Sequence, residues 1–301
     1  MRYSSRFFLY TPIAVLLVLV SVAMVNWWIV ASAYSKHLEA LNGHEIIPGV
    51  RIGFDSKRIA GFPFRLDTLL SHLRVEVAEK RGPIVWTTEN FAMHELTYGR
   101  RQSILEAAGQ QTLSWHDGHG ELHRFSFLPG TFRASAVFFG GAMDRFDAQI
   151  VDLDGADFRA GDAELHLRKN HGAIDAYLKV ERAHMPAGYA AALGPDLELM
   201  TASASLDHQG ALDDLLYGNS TPMSALDGWA GIGGKVTVNR LTIRWKHRSA
   251  GFSGRLVLDS EHYLSGGLTG VVTNASTGAR ESATLTATGN RLALDSGLPR
   301  P

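Results

Sequence analysis

The chain of 301 residues contains no cysteine. That absence excludes a disulfide framework, a thiolate zinc site, an iron–sulfur cluster and a cysteine nucleophile. An excess of either charge is also lacking: 29 Lys and Arg stand against 30 Asp and Glu, a formal net charge of −1. Without a basic excess there is no electrostatic drive toward nucleic acid, whose binding depends on neutralising phosphates. The strand–helix alternation of a doubly wound α/β fold is missing. So are a G-x-S-x-G elbow and a G-x-G-x-x-G fingerprint. Hydrophobic residues at 45% and charged residues at 20% nevertheless describe a folded chain.

One long apolar run is present. Residues 13–30 read IAVLLVLVSVAMVNWWIV, with no charge and only Ser21 and Asn26 polar. At about 1.5 Å per residue, extended upstream by Phe7, Phe8 and Leu9, the run can cross a bilayer core of roughly 30 Å. Arg2 and Arg6 precede it and no acid occurs before Glu39. The positive-inside rule therefore keeps residues 1–12 in the cytoplasm and exports the remainder. Trp27, Trp28 and Tyr34 lie near the outer end, where aromatic rings favour the interface. The alternative is a cleaved signal peptide, because Ala31-Ser32-Ala33 is an A-x-A pattern. Signal cores, however, usually run about 7–15 residues, and this one is longer. The expected layout is a single-pass inner-membrane anchor over 13–33, then a juxtamembrane helix and linker over 34–48. A periplasmic β domain over 49–289 and a C-terminal tail over 290–301 follow.

Past the anchor, period-two alternation dominates. Leu165 and Leu167 alternate with His166 and Arg168, and Ala176, Leu178 and Val180 alternate with Asp175, Tyr177 and Lys179. Val236 and Val238 face one way, then Leu241, Ile243 and Trp245 take over on odd numbers, so a bulge is expected around Asn239-Arg240. Gly and Pro pairs punctuate the runs, as at Gly140-Gly141 and Gly266-Gly267. Helical signals are short: residues 34–41, 187–193 and 211–217. The expected fold is mainly β: a transmembrane helix followed by a long curved antiparallel meander with two or three short helices. Such a sheet either encloses an open groove or closes on a packed core.

Chemistry-bearing clusters are sparse. His44-Glu45 and His94-Glu95 both lack the second histidine of a zinc-protease helix. Gly233-Gly234-Lys235 is followed by Val236 rather than Ser or Thr, so it reads as a turn entering a strand. The richest stretch is Trp115 to His123. If residues 119–123 are a strand, His119, Glu121 and His123 share a face and form a weak candidate metal site, with His116 or Asp117 assisting. The competing reading is a polar hairpin loop, since Asp117-Gly118 is a strong turn signal. No catalytic residues and no cofactor are expected.

Gly61-Phe62-Pro63-Phe64-Arg65 follows the anchor by about thirty residues. Proline fixes its own φ and disfavours helix before it, so the run is expected to be extended, at a strand start. Phe62 and Phe64 then point inward and Arg65 outward, pairing with a carboxylate such as Asp67 or meeting a lipid headgroup. Farther on, Trp229, Gly233 and Gly234 lead into residues 241–245, followed by Gly254-Arg255-Leu256-Val257-Leu258-Asp259 and Gly266-Gly267-Leu268-Thr269-Gly270. The anchor, the Gly-Phe-Pro-Phe-Arg run and this block together resemble a bacterial family known as domain of unknown function 2125. The sequence departs from that pattern at Lys246-His247, where a glycine turn is expected. The resemblance implies an envelope protein and brings no activity or catalytic residues. A looser similarity is to AsmA-type envelope proteins, in which a curled sheet handles lipid. The expected function is therefore lipid binding or handling in envelope maintenance. The alternatives are a scaffold for another envelope protein and, less favoured, a metal-dependent enzyme.

Overall fold

The computed structural model describes residues 5–97, 101–117, 119–156, 158–185, 195–259, 262–288 and 291–296. Helix α1 (Ser5–Leu41) leads into strands β1 (Glu45–Ile47), β2 (Val50–Gly53), β3 (Ser56–Ala60), β4 (Arg65–Val77), β5 (Ile84–Leu96), β6 (Gln102–His116), β7 (Leu122–Phe139) and β8 (Ala142–Gly155). The chain continues through β9 (Arg159–Asn170), β10 (Ala173–His184) and β11 (Asp196–Leu206). A 3-10 turn (Gln209–Leu212) and helices α2 (Asp213–Leu216) and α3 (Pro222–Gly231) precede β12 (Lys235–Trp245), β13 (Arg248–Leu258), β14 (Leu264–Asn274), β15 (Arg280–Thr288) and β16 (Arg291–Ser296). All the strands belong to one antiparallel sheet, and from β4 onward each pairs with the next in sequence. The sheet thus begins earlier and ends later than residues 49–289: β1 opens it at Glu45, and β16 occupies part of the expected tail.

Register makes this sheet two-faced. One level, followed from strand to strand, reads Leu70, Phe91, Ala107, Phe132, Ile150, Ala163, Val180, Met200, Ile243, Ala250 and Val272, an apolar residue from every strand β4 to β14. One residue along, on the other face, the level reads Glu106, Arg133, Gln149, Glu164, Lys179, Thr201 and Thr242. Because side chains alternate with period two, a single slip would exchange these faces, so burial of the apolar one sets the register.

Slips do occur, and they are aligned. His72 in β4, Gly109 in β6, Asp152 in β8 and Arg182 in β10 all have positive φ, and β12 shifts register between Val238 and Leu241. The last is the bulge expected at Asn239-Arg240. Each extra residue restores the apolar parity beyond it, so that Leu70 and Leu73, or Val180 and Ala183, are both buried. Bulges bend a strand and increase its twist. Repeated in every second strand, they crease the sheet along one line.

The result is a curl with the apolar face inside. In a flat sheet, eight steps of about 4.8 Å would hold β5 and β13 roughly 40 Å apart. Instead, Arg81 before β5 places its guanidinium 4.6 Å from the centre of the Tyr263 ring before β14. The main apolar cluster joins Phe127, Leu153, Val180 and Leu197 to Trp245, Phe252, Leu268 and Val272. A second joins Leu38 of α1 to Ile52, Phe54, Leu70 and Leu73.

Helix α1 combines the expected anchor and its extension over 34–41. It is long and apolar enough to span a bilayer. Residues such as Leu16, Leu19 and Val22 are exposed, so nothing else among the described residues covers this run. The helix over 211–217 corresponds to the 3-10 turn and α2; the one over 187–193 lies outside the described residues. Helix α3 was not among the expected helices. Its start was visible, since Thr221 Oγ1 accepts from the Ser224 amide at 3.0 Å and Pro222 sits in the first turn. Three glycines from Gly228 to Gly233 blur its periodicity. Trp229, 2% exposed, lies over Gly234, where a Cβ would stand 2.3 Å from the indole. Its Nε1 donates to the Asp207 carbonyl at 2.7 Å, so this motif pins α3 to the start of β12.

Candidate functional site

The inner face is closely packed along some levels, with Phe127, Leu153, Ala160, Ala183 and Leu197 buried in the middle strands, and only half-covered along another. Across β12–β14, Val238, Ile243, Phe252, Leu268 and Val272 are buried. Across β5–β11, the level Met93, Leu105, Ala134, Ala148, Leu165, Leu178 and Ala202 is only half-buried throughout. Helix α1 reaches one border of this surface, where Tyr34, Leu38 and Leu41 pack with Leu70, Trp86 and Phe91. Apolar contacts therefore run from the long N-terminal helix onto the inner face, beside a buried polar group in which Trp86 Nε1 donates to Gln111 Oε1 at 3.1 Å and Gln111 Nε2 to Thr88 Oγ1 at 2.8 Å.

Helix α3 lies across the curl. Ala225 and Trp229 pack toward Leu206, Val236 and Leu258, whereas Pro222, Met223 and Leu226 face Val77, Ile84, Leu113 and Trp115 across a cavity of about 360 Å³. Arg81, His116 and His262 line that cavity too. The position of α3 is fixed by Asp227, which takes Lys80 Nζ at 3.0 Å and lies 2.9 Å from His262 Nε2. An apolar cavity of this size with a few polar groups is the usual form of a small-ligand site.

The outer face holds a larger depression, about 690 Å³, walled by Arg145, Asp147, His166, Arg168, Asp175 and Tyr177. Its charges mostly satisfy one another: Arg145 Nε is 2.6 Å and His166 Nδ1 2.7 Å from the Asp147 carboxylate. The hydrogen bond to Asp147 raises the His166 pKa despite the opposing effect of burial. Beside it, Lys179 bridges Asp162, Glu164 and Glu181 at 2.9–3.1 Å. These hydrogen bonds, that to Glu164 first, push the lysine above its ordinary range. This is a paired solvent face.

Residues 119–123 do not form the strand that would align His119, Glu121 and His123, because β7 begins only at Leu122. The hairpin loop folds around Asp117 instead. Its Oδ1 accepts the amides of His119 and Glu121 at 2.8 and 2.9 Å, and Oδ2 lies 3.0 Å from His123 Nε2. The His123 bond, followed by the two amides, holds the carboxyl down to about 2. Asp117, Glu121 and His123 could bring three ligand atoms within 4.8 Å of one another, with Asp117 in the place expected of His119. Both Asp117 oxygens are already used in shaping the loop, and His123 stacks on Trp115. The loop reading accounts for these contacts.

The Gly-Phe-Pro-Phe run is a turn rather than the expected extended segment. Gly61 has φ 97°, a conformation costly for other residues, and its carbonyl accepts the Arg65 amide at 2.9 Å. Turning back at this point leaves Leu66, 1% exposed, as the inward residue, while Phe62 and Phe64 are 46% and 60% exposed. The expected Arg65–Asp67 pair is present at 2.7 Å, with His94 Nδ1 also 2.7 Å from the same carboxylate oxygen. Burial works to raise the Asp67 pKa, but the hydrogen bonds of His94 and Arg65 outweigh it and hold it low.

A family model described as "Uncharacterized protein conserved in bacteria (DUF2125)" matches residues 27–298. No curated protein and no solved structure matches the chain.

Proposed function

The chain belongs to the DUF2125 family of uncharacterized bacterial proteins, and from that premise we propose that it is a membrane-tethered envelope protein that holds lipid acyl chains against its inner face. The single observation carrying this reading is the apolar level Met93, Leu105, Ala134, Ala148, Leu165, Leu178 and Ala202, half-buried from β5 to β11 on a face that α1 borders. A fully packed core would have no reason to leave Met93, Leu105, Leu165 and Leu178 part-exposed on a concave surface. Arg2 and Arg6 on the short side of α1 support a periplasmic β domain with α1 in the inner membrane. The work of such a surface is sequestering and passing apolar chains, without catalysis.

The test is native mass spectrometry and lipid extraction on the full chain, purified in mild detergent. Phospholipid or lipid A retained at near-stoichiometric level is expected. Lipid clinging to α1 would mimic this, so Leu165→Asp and Leu178→Asp are compared with the outer-face variant Thr201→Asp. Retention falling only in the inner-face variants supports the proposal; equal retention in all three overturns it.

A further inference from the structure

We propose that the Phe62-Pro63-Phe64 turn is a second membrane contact, dipping into the leaflet from which α1 emerges. Its location comes from Trp27, near the outer end of the apolar run. The Trp27 indole packs edge-on against Phe62 at 5.7 Å between ring centres, and its Nε1 donates to the Arg65 carbonyl at 2.9 Å. The turn is therefore held at the depth of the aromatic belt where a spanning helix leaves lipid. Trp28 beside it is 65% exposed, and Leu96, paired with Arg65 across β4 and β5, is 45% exposed. Two phenylalanines, a leucine and a tryptophan thus lie uncovered around one point on the helix.

Part of the turn's backbone is already paired. In lipid, unpaired peptide groups are costly. Here Pro63 has no N–H, the Gly61 carbonyl takes the Arg65 amide, and the Phe64 carbonyl takes both the amide and the hydroxyl of Thr97 at 2.9 and 3.0 Å. Residues 61–64 carry no charge. Arg65, the next residue, lies half-exposed with its guanidinium on Asp67, at the depth where basic groups meet lipid phosphates. Among candidate occupants, the bilayer is favoured by continuity: the patch adjoins the segment of α1 built to cross it.

This inference rests on α1 crossing the bilayer, not on lipid occupying the inner face. The natural chain has no cysteine, so the full-length variants Phe64→Cys, Phe62→Cys, Val18→Cys and Ser276→Cys each carry one environment-sensitive fluorophore. They are placed in vesicles of phosphatidylethanolamine and phosphatidylglycerol. Quenching by acyl-brominated lipid and by aqueous iodide is then compared. The Val18 label reports the span, and the Ser276 label the exposed turn between β14 and β15. At Phe62 and Phe64, lipid quenching about twofold or more above that at Ser276 is expected, with protection from iodide. Iodide access equal to that at Ser276 overturns the proposal. Protection from both quenchers overturns it in favour of a protein cover. A Val18 label outside lipid removes its premise and overturns it together with the anchor.

Discussion

Trp27 and Arg65 are joined by a single hydrogen bond, from the indole Nε1 to the main-chain carbonyl at 2.9 Å. Through it the long apolar helix α1 is tied to the first residue of β4, thirty-eight positions away. Replacing Trp27 by Phe removes the bond while keeping an aromatic ring, and is expected to cost about 1 kcal/mol. Trp27→Ala also removes the contact with Phe62 and is expected to cost more. Chemical denaturation of the full chain in detergent measures both, and equal losses would show that the hydrogen bond contributes nothing.

The contrast between closely packed and half-covered levels of the inner face gives a second expectation. Phe252 is 4% exposed inside the main cluster, so Phe252→Ala should cost about 3–5 kcal/mol. Leu165 is half-buried, and Leu165→Ala should fall well below that figure. Denaturation midpoints decide this, and comparable losses at the two sites would mean that β9 is as tightly packed as β13.

Acidity enters through His166. Its folded pKa lies above the ordinary value of 6.5, chiefly through Asp147. The pairing therefore contributes fully below about 6.5 and is lost as pH rises through the folded value. With the imidazole 42% exposed, solvent screening limits the effect to a few tenths of a kcal/mol. Unfolding free energy should decline by that amount between mildly acidic and alkaline pH, and His166→Gln should flatten the decline. An unchanged slope in that variant would assign the dependence elsewhere.

Gly234→Ala would drive a methyl group into the Trp229 ring. Overpacking of this kind costs about 1–3 kcal/mol. Because Trp229 fixes α3, amide exchange is expected to speed up over residues 222–231 before the sheet responds. Uniform loss of protection would instead make α3 and the sheet one cooperative unit.

Much of this architecture was legible in the residues. The β12 parity change reads directly from Val238 and Leu241, because alternation is a local property. The bulges at His72, Asp152 and Arg182 were harder to see, since the residue with positive φ at each is itself polar and its insertion does not show as a clear switch of apolar parity. The Lys246-His247 hairpin departs from a glycine turn, yet Lys246 takes φ 47°, the conformation glycine adopts freely. Sequence reading aligned His119 with His123 by assuming a strand. It could not foresee that one carboxylate, Asp117, would take two loop amides and stop that strand from forming. The outward placement of Phe62 escaped because its ring packs on Trp27, and distant pairings leave no trace in local spacing.

A meander in which every strand pairs with its sequence neighbour has a consequence for how such a protein can change over time. Adding or deleting one hairpin returns the chain to the same end of the sheet, so the tether and the helical cover keep their places. Each such unit lengthens the inner surface by about 10 Å, two inter-strand spacings, without disturbing the polarity of its neighbours. Span is thereby adjustable in fixed increments, like the links of a chain, while the attachment at Trp27 stays constant.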